Sequence, residues 1–410
     1  MLSRTRIILF AGKGGVGKTS ISSATGINSS RRGFRTLVMS LDAAHSLSDS
    51  FDLNKELMDR NKGIPLKVDE NLWIQEVDIQ QEIERHWKDI YSYVTDLFHM
   101  TGLDDLVSEE LAILPGMEEI SSLLYINQYI REREFDTIIL DCAPTGESIR
   151  FLSIPTALDW YMRKVFKIEK QVTKIARPVA KKIYSVPLPG ESYFDSIQSL
   201  HDKLKGIDKV LTDPHITTVR LITNPEKIVI KETQRAYMYF CLYGLHVDGI
   251  IINRIVPENF FEDYLGEWKK IQETYVTAIK EIFSPLPVFH VPLFSKEIVG
   301  KEDLSRLADV LYGGKNPLDI FYLEKVYTIE KEDGTYCLKV TLPFVGQRDL
   351  ELYKKGDELI IRTPGHNQHI MLPKKVASFE PSKATFLGNT LHIHFGGEDG
   401  YRGRKEGSRG

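Results

Sequence analysis

The segment Gly12-Lys13-Gly14-Gly15-Val16-Gly17-Lys18-Thr19 gathers glycines, two amines and a hydroxyl in one short run. Its spacing is GxxxxGK followed by Thr, directly after the strand-like run Ile7–Phe10 and before a helix expected to begin near Lys18. Such a loop binds phosphate. Its glycines let successive N–H groups turn inward and keep side chains away from the arriving oxygens, and the helix N-terminus adds a positive end. Lys18 is placed to reach the β and γ phosphates of ATP, and the Thr19 hydroxyl to ligate Mg²⁺. Gly12, Lys13, Gly14, Gly15, Val16, Gly17 and Ser20 complete the expected nucleotide-binding segment, with Lys13 as a second lysine at its front.

Two acids follow apolar runs at positions where chemistry on a terminal phosphate needs them. The run Ser40 to Phe51 follows a strand-like segment and carries Asp42, placed to orient the attacking water or accept its proton. His45 in the same run either reports on the γ-phosphate or serves as a local hydrogen-bond partner. Asp141 ends Thr137–Leu140 and begins Asp141-Cys142-Ala143-Pro144-Thr145-Gly146-Glu147, where an acid contacts Mg²⁺ or its waters. A strand-end Asp also serves as a helix cap, and that reading stays open for both acids. Asn253, closing Gly249–Ile252, either pairs its amide with an adenine edge or makes a turn.

These residues need a scaffold that presents strand ends together. Apolar runs at Ile7–Phe10, Thr36–Met39, Thr137–Leu140, Val219–Thr223, Gly249–Ile252 and Val288–His290 alternate with segments of helical spacing. This predicts an α/β fold of the P-loop nucleotide-hydrolase type, with a mostly parallel sheet, helices on both faces, and ligands beyond the carboxyl ends of the strands. Residues 1–320 form the expected nucleotide domain, with helical insertions at about 78–133 and 151–214. The second insertion carries Leu158, Met162, Val165, Ile168, Val172, Ile175, Val179 and Ile183, stepping by three or four residues. Pro178 is expected to bend or end that helix. Residues 321–396 read as a small antiparallel β-sandwich, broken by turn residues such as Asp333-Gly334 and Gly388-Asn389. The glycine-rich charged stretch 397–410 is expected to be disordered.

Composition narrows the partners. With 410 residues, 42% hydrophobic and 27% charged, the chain is globular and long enough for more than one domain. A formal net charge of −4 gives no general attraction for nucleic acid, so none is expected as a partner. No secretory leader and no membrane-length apolar run is seen, and Cys142, Cys241 and Cys337 are widely separated, so a cytoplasmic location is expected.

The KGGVGKT loop, the Asp42–Asp49 run, Leu114-Pro115-Gly116-Met117-Glu118-Glu119 and Asp141–Gly146 resemble the arsenite-pump ATPase family over residues 5–320. That family includes the factor that delivers tail-anchored membrane proteins. The resemblance implies an ATP-gated homodimer of the deviant Walker type, in which Lys13 reaches the partner subunit's nucleotide. It also implies Asp42 as the catalytic acid, Asp141 as magnesium-linked, and Asn253 with the Pro292 loop around adenine. Ala43 stands where the family has proline and Cys142 where it has threonine. The CxxC that supplies a zinc staple in the targeting factors is missing, so zinc is not expected. Residues 327–395 resemble an α-crystallin domain, through Leu342-Pro343, Gly356-Asp357, Leu372-Pro373 and Ala384–Ile393.

The expected client of the ATPase is a hydrophobic or membrane-destined polypeptide bound by the helical insertion. Between Asp159 and Lys182, Arg163, Lys164, Lys167, Lys170, Lys174, Arg177, Lys181 and Lys182 outweigh Asp159 and Glu169, eight minus two, or +6. This makes transient contact with an anionic membrane surface a further expectation, and burial of the stripe inside a dimer an open alternative. Two other functions fit the motifs: an energising subunit for an anion or metalloid transporter, and a nucleotide-sensing scaffold without significant turnover.

Overall fold

The computed structural model describes residues 5–41, 46–54, 63–99, 117–142, 145–166, 168–171, 173, 189–258, 266–284, 286–323, 327–332, 335–342, 350–356, 358–363, 366–372 and 374–396. It contains two compact units, residues 1–233 with 247–322, and residues 234–246 with 323–410.

In the first unit the apolar runs form one eight-stranded sheet: β1 (Arg6–Gly12), β2 (Thr36–Ser40), β3 (Leu66–Asp69), β4 (Leu72–Glu76), β5 (Thr137–Asp141), β6 (Thr217–Thr223), β7 (Val247–Ile255) and β8 (Val288–Pro292). Their order is β3-β4-β2-β5-β1-β6-β7-β8. Every neighbouring pair is parallel except β3 with β4. Every residue of β1, β2, β5 and β6 is buried, as expected where helices cover both faces of a parallel sheet. The α/β expectation therefore holds. The sequence reading overlooked β3 and β4, whose segment mixes Lys67, Asp69, Glu70 and Asn71 with its apolar residues. As the edge strand, β3 alternates between half-buried and exposed positions.

Helix α1 (Lys18–Arg31) is built largely from small residues, and Ser22, Ser23, Ala24, Thr25 and Ser29 are all fully buried. It lies between the sheet and α11 (Gly300–Tyr312), and a Cβ on Gly26 would come within 2.3 Å of Val38 Cγ2. A helix enclosed on both sides has no polar face to keep its pattern amphipathic.

Helices α3 (Ile79–Glu82), α4 (Lys88–His99) and α5 (Met117–Glu132) follow β4, and α6 (Thr145–Tyr161), α7 (Glu191–Leu204) and α8 (Ile207–Thr212) follow β5. Two π-helical turns, Ile83–Trp87 and Met162–Phe166, interrupt these helical runs. Phe166, Phe194 and Tyr193 pack edge to face in the aromatic core there. Pro178, together with Val172, Ile175, Val179 and Ile183 of the apolar stripe, lies outside the described residues.

Under the sheet, Arg220 and Asp248 are completely buried and pair at 3.2 Å. Arg220 also donates to Tyr312 Oη at 3.1 Å, and Arg6 lies 3.6 Å from the same carboxylate. Tyr312 Oη and Thr25 Oγ1 are 2.7 Å apart, so the network reaches α1.

The remaining helices of this unit are α2 (Ser46–Ser50), the first part of α9 (Lys227–Leu242), and α10 (Gly266–Ile282). In the second unit two antiparallel sheets face each other, β14-β15-β10-β9 and β11-β12-β13. They comprise β9 (Tyr327–Glu332), β10 (Thr335–Thr341), β11 (Glu351–Lys355), β12 (Glu358–Thr363), β13 (His366–Met371), β14 (Pro381–Leu387) and β15 (Thr390–Phe395). Leu338, Val340, Leu359, Ile361, Ile393 and Phe395 fill the space between them, joined by Met238 from α9. The expected small sandwich is present. Residues 397–410 lie outside the described residues.

Candidate nucleotide site

Strand β1 ends at Gly12 and α1 starts at Lys18, so residues 13–17 must reverse the chain at the carboxyl edge of the sheet. Gly15 and Gly17 have φ of 79° and 93°, the left-handed region that side chains disfavour. Gly12 has no room for more: a Cβ there would sit 2.4 Å from the Ile222 carbonyl oxygen. Above Gly14 and Gly15 a Cβ would meet nothing within 4 Å, so the loop is closed below and open above. That shape suits a ligand bound through backbone N–H groups.

The loop gathers the predicted residues. Lys18 is buried, and its Nζ donates to the Lys13 carbonyl at 3.4 Å across the loop. Lys13 itself is half-exposed, Val16 is buried, and Thr19 and Ser20 are half-buried on the first turn of α1. Thr19 Oγ1 lies 3.1 Å from Ser46 Oγ, the first residue of α2.

Asp141 is buried at the end of β5 and in register with Phe10 of β1 on one side and Ser40 of β2 on the other. Its carbonyl accepts from Leu41 N at 2.8 Å. The register continues from Ser40 to Glu76, the last residue of β4. One row thus runs Glu76, Ser40, Asp141, Phe10 along the edge from which the loop departs. The hard oxygen donors Thr19 and Asp141 on this edge match what Mg²⁺ prefers. Asp42 and His45 lie outside the described residues, as do Ala143 and Pro144.

Asn253 reaches the loop from β7. The β7–β8 register shifts between Ile252 and Ile255, and Arg254 adopts a left-handed φ of 57°. Asn253 Nδ2 donates to Val16 O at 2.8 Å, and its Oδ1 accepts from Arg254 N at 2.9 Å. The amide braces the loop and retains one N–H and one lone pair for a ligand. Pro292 ends β8 in register with Ile255, and Leu293 N donates to Ile255 O at 2.8 Å. Asn253 and Pro292 therefore sit on neighbouring strands.

Sequence reasoning missed Glu76. Its Oε1 accepts from Leu47 N at 2.9 Å and Ser48 N at 3.0 Å, carrying the first turn of α2. An acid closing a strand on the phosphate edge is the signal that would have found it, had β4 been read as a strand.

In the helical segments, Trp160 and Ile168 are 47% and 63% exposed, Val165 is half-buried, and Met162 is buried. Of the basic residues there, Arg163 pairs with Asp159, and Lys170 with Asp195 at 3.2 Å. No described helix is long and apolar enough to cross a membrane.

Comparison with known proteins agrees with this geometry. A protein of Aquifex aeolicus provisionally named arsenical pump-driving ATPase 1 is 49% identical over 92% of this chain and 97% of its own length. A similarly named protein of Chlorobaculum tepidum is 38% identical over 95% of the chain and 96% of its length. The ATPase get3 of Aspergillus terreus is 27% identical over 75% of the chain and 90% of its length. Residues 333–395 match the HSP20-like domain found in ArsA. Residues 5–313 match the anion-transporting ATPase family, and with relatives at this identity the chain belongs to that family of ATP-hydrolysing enzymes.

Proposed function

We propose that this ATPase is a homodimeric, ATP-driven switch whose helical segments bind a hydrophobic or membrane-destined polypeptide. The observation that carries the nucleotide half is the loop closed below by Gly12 and Asn253 and open above Gly14 and Gly15. In this reading Gly12 to Ser20 hold the phosphates, Lys18 neutralises the β and γ groups, and Asn253 with Pro292 borders adenine. Thr19 and Asp141 hold Mg²⁺, which when bound offsets charge on the phosphate oxygens. Asp42 orients the attacking water and accepts its proton. Lys13, half-exposed at the front of the loop, serves the partner subunit's nucleotide.

The exposed Trp160 and Ile168 support the client half, because apolar side chains left on a helix surface are what an apolar peptide needs. The test is capture of a fluorescent transmembrane-helix peptide with ATP, with ADP and without nucleotide. Capture should depend on nucleotide and fall at least about tenfold in a folded Val165→Asp/Ile168→Asp protein. Unchanged capture by that variant removes the client reading. Asp42→Asn should bind ATP and lose turnover, and equal turnover would remove Asp42 from its role.

The names of the relatives favour a second reading, an energising subunit for an arsenical or other anion transporter. Arsenite stimulation of hydrolysis separates the two, being expected only of the energiser.

A further inference from the structure

β4 ends in two residues that face opposite sides of the sheet and hold different things. Gln75, fully buried, accepts from Tyr129 Oη of α5 at 3.0 Å and donates to Gly63 O at 2.8 Å. Glu76 points to the face of α1 and receives two backbone N–H groups of α2 on one carboxylate oxygen. The first N–H groups of a helix have no partner within it, and here they belong to Leu47 and Ser48, both buried away from water. Here a side chain satisfies them. Glu76 does so with a charge-assisted pair of bonds at the positive end of the helix.

The element fixed in this way carries Ser46, whose hydroxyl lies 3.1 Å from Thr19 Oγ1. Glu76 is also in register with Asp141 through Ser40, so the acid that fixes α2 and the acid beside the phosphate loop share one row of the sheet. We propose that Glu76 is a positioning residue for ATP hydrolysis: it holds α2 so that Ser46 orients the Thr19 hydroxyl toward the metal and terminal phosphate. This rests on the reading that Thr19 serves the magnesium of a bound nucleotide. Glu76 touches neither group and acts through α2.

The full-length protein is assayed for turnover against free Mg²⁺ and, separately, for binding of a fluorescent ATP analogue without metal. Glu76→Ala should raise the Mg²⁺ needed for half-maximal turnover about tenfold and lower kcat about tenfold, since small misplacements at a reacting centre act on this scale. Metal-free nucleotide affinity should stay within about twofold, because the loop itself is untouched. Glu76→Gln, whose amide oxygen still accepts both N–H groups, should restore most of the loss. If Glu76→Ala does not fold, Glu76→Asp takes its place, since its shorter arm cannot reach both donors.

Thr19→Ala separates the two layers of the argument. If Thr19→Ala leaves the Mg²⁺ requirement unchanged, the underlying reading of the site fails, and the proposal with it. If Thr19→Ala raises that requirement and neither Glu76→Ala nor Glu76→Asp does, the positioning role alone is overturned. A parallel loss of metal-free affinity, or Glu76→Gln as impaired as Glu76→Ala, overturns it as well.

Discussion

Gly17 illustrates how much one position can be asked to do. Its φ of 93° disfavours any side chain, and a Cβ would come within 2.4 Å of Asn253 Nδ2, the group that braces Val16. Gly17→Ala should therefore cost about 1–3 kcal/mol in strain and displace the brace. Fluorescent-nucleotide titration should show affinity falling more than about tenfold, as expected of a misaligned site. Wild-type affinity in this variant would mean that Asn253 does not shape the loop. Asp248 presents the opposite case, a completely buried acid engaged by two arginines and not by the loop. It is the shared counter-ion of Arg220 and Arg6, and burial pulls the Arg6 guanidinium down to about 10 against the attraction of Asp248. Asp248→Asn leaves two enclosed guanidiniums without that charge. Urea denaturation should report a loss of about 3–5 kcal/mol, while nucleotide affinity of the folded fraction stays unchanged.

Among the elements, α1 connects loop to core, and its small residues are the condition for that. Gly26 faces Val38 so closely that a valine there must push α1 off β2, and Gly26→Val should destabilise the protein by about 1–3 kcal/mol. Thermal melting checks this, and an unchanged midpoint would show that α1 shifts freely. The elements differ in how much the sequence discloses. The six expected parallel strands were legible because the strands inside the sheet, buried on both faces, become short apolar runs, and the edge strand β8 keeps enough of that pattern in Val288 and Phe289. β4 was not, because Gln75 and Glu76 are polar residues spent on partners 12 to 54 residues away along the chain. The phosphate loop was readable since its geometry is local. Asn253 could be read only as an adenine contact or a turn residue, because its loop partner Val16 lies 237 positions away, a separation that spacing cannot encode. Helix α1 was anticipated from the motif alone, since enclosure between sheet and α11 leaves it no periodic apolar stripe.

For the molecule as a whole, the position of Lys13 sets the question. Its carbonyl faces into the loop, accepting from Lys18 Nζ and from Val16 N at 3.4 and 3.5 Å, while the residue as a whole stays half-exposed. The interior amine of the site is supplied by Lys18, so a second amine for the same phosphates is redundant within one subunit. It acquires a use if a second copy presents its own nucleotide opposite, where a cation stabilises charge developing in transfer and typically contributes about 10³-fold or more to turnover. The expected outcome is that light scattering with Mg²⁺ and a hydrolysis-resistant ATP analogue gives twice the monomer mass. Lys13→Ala should lower kcat by about 10³ while its own nucleotide affinity changes only a few-fold. Mixing Lys13→Ala subunits with Asp42→Asn subunits then decides between the two placements. If Lys13 acts across the interface, the mixed dimer pairs an intact Lys13 with an intact Asp42 only at the site of the Lys13→Ala chain, and turnover reappears there. If Lys13 serves its own loop, every site in the mixture lacks one of the two groups and no turnover returns.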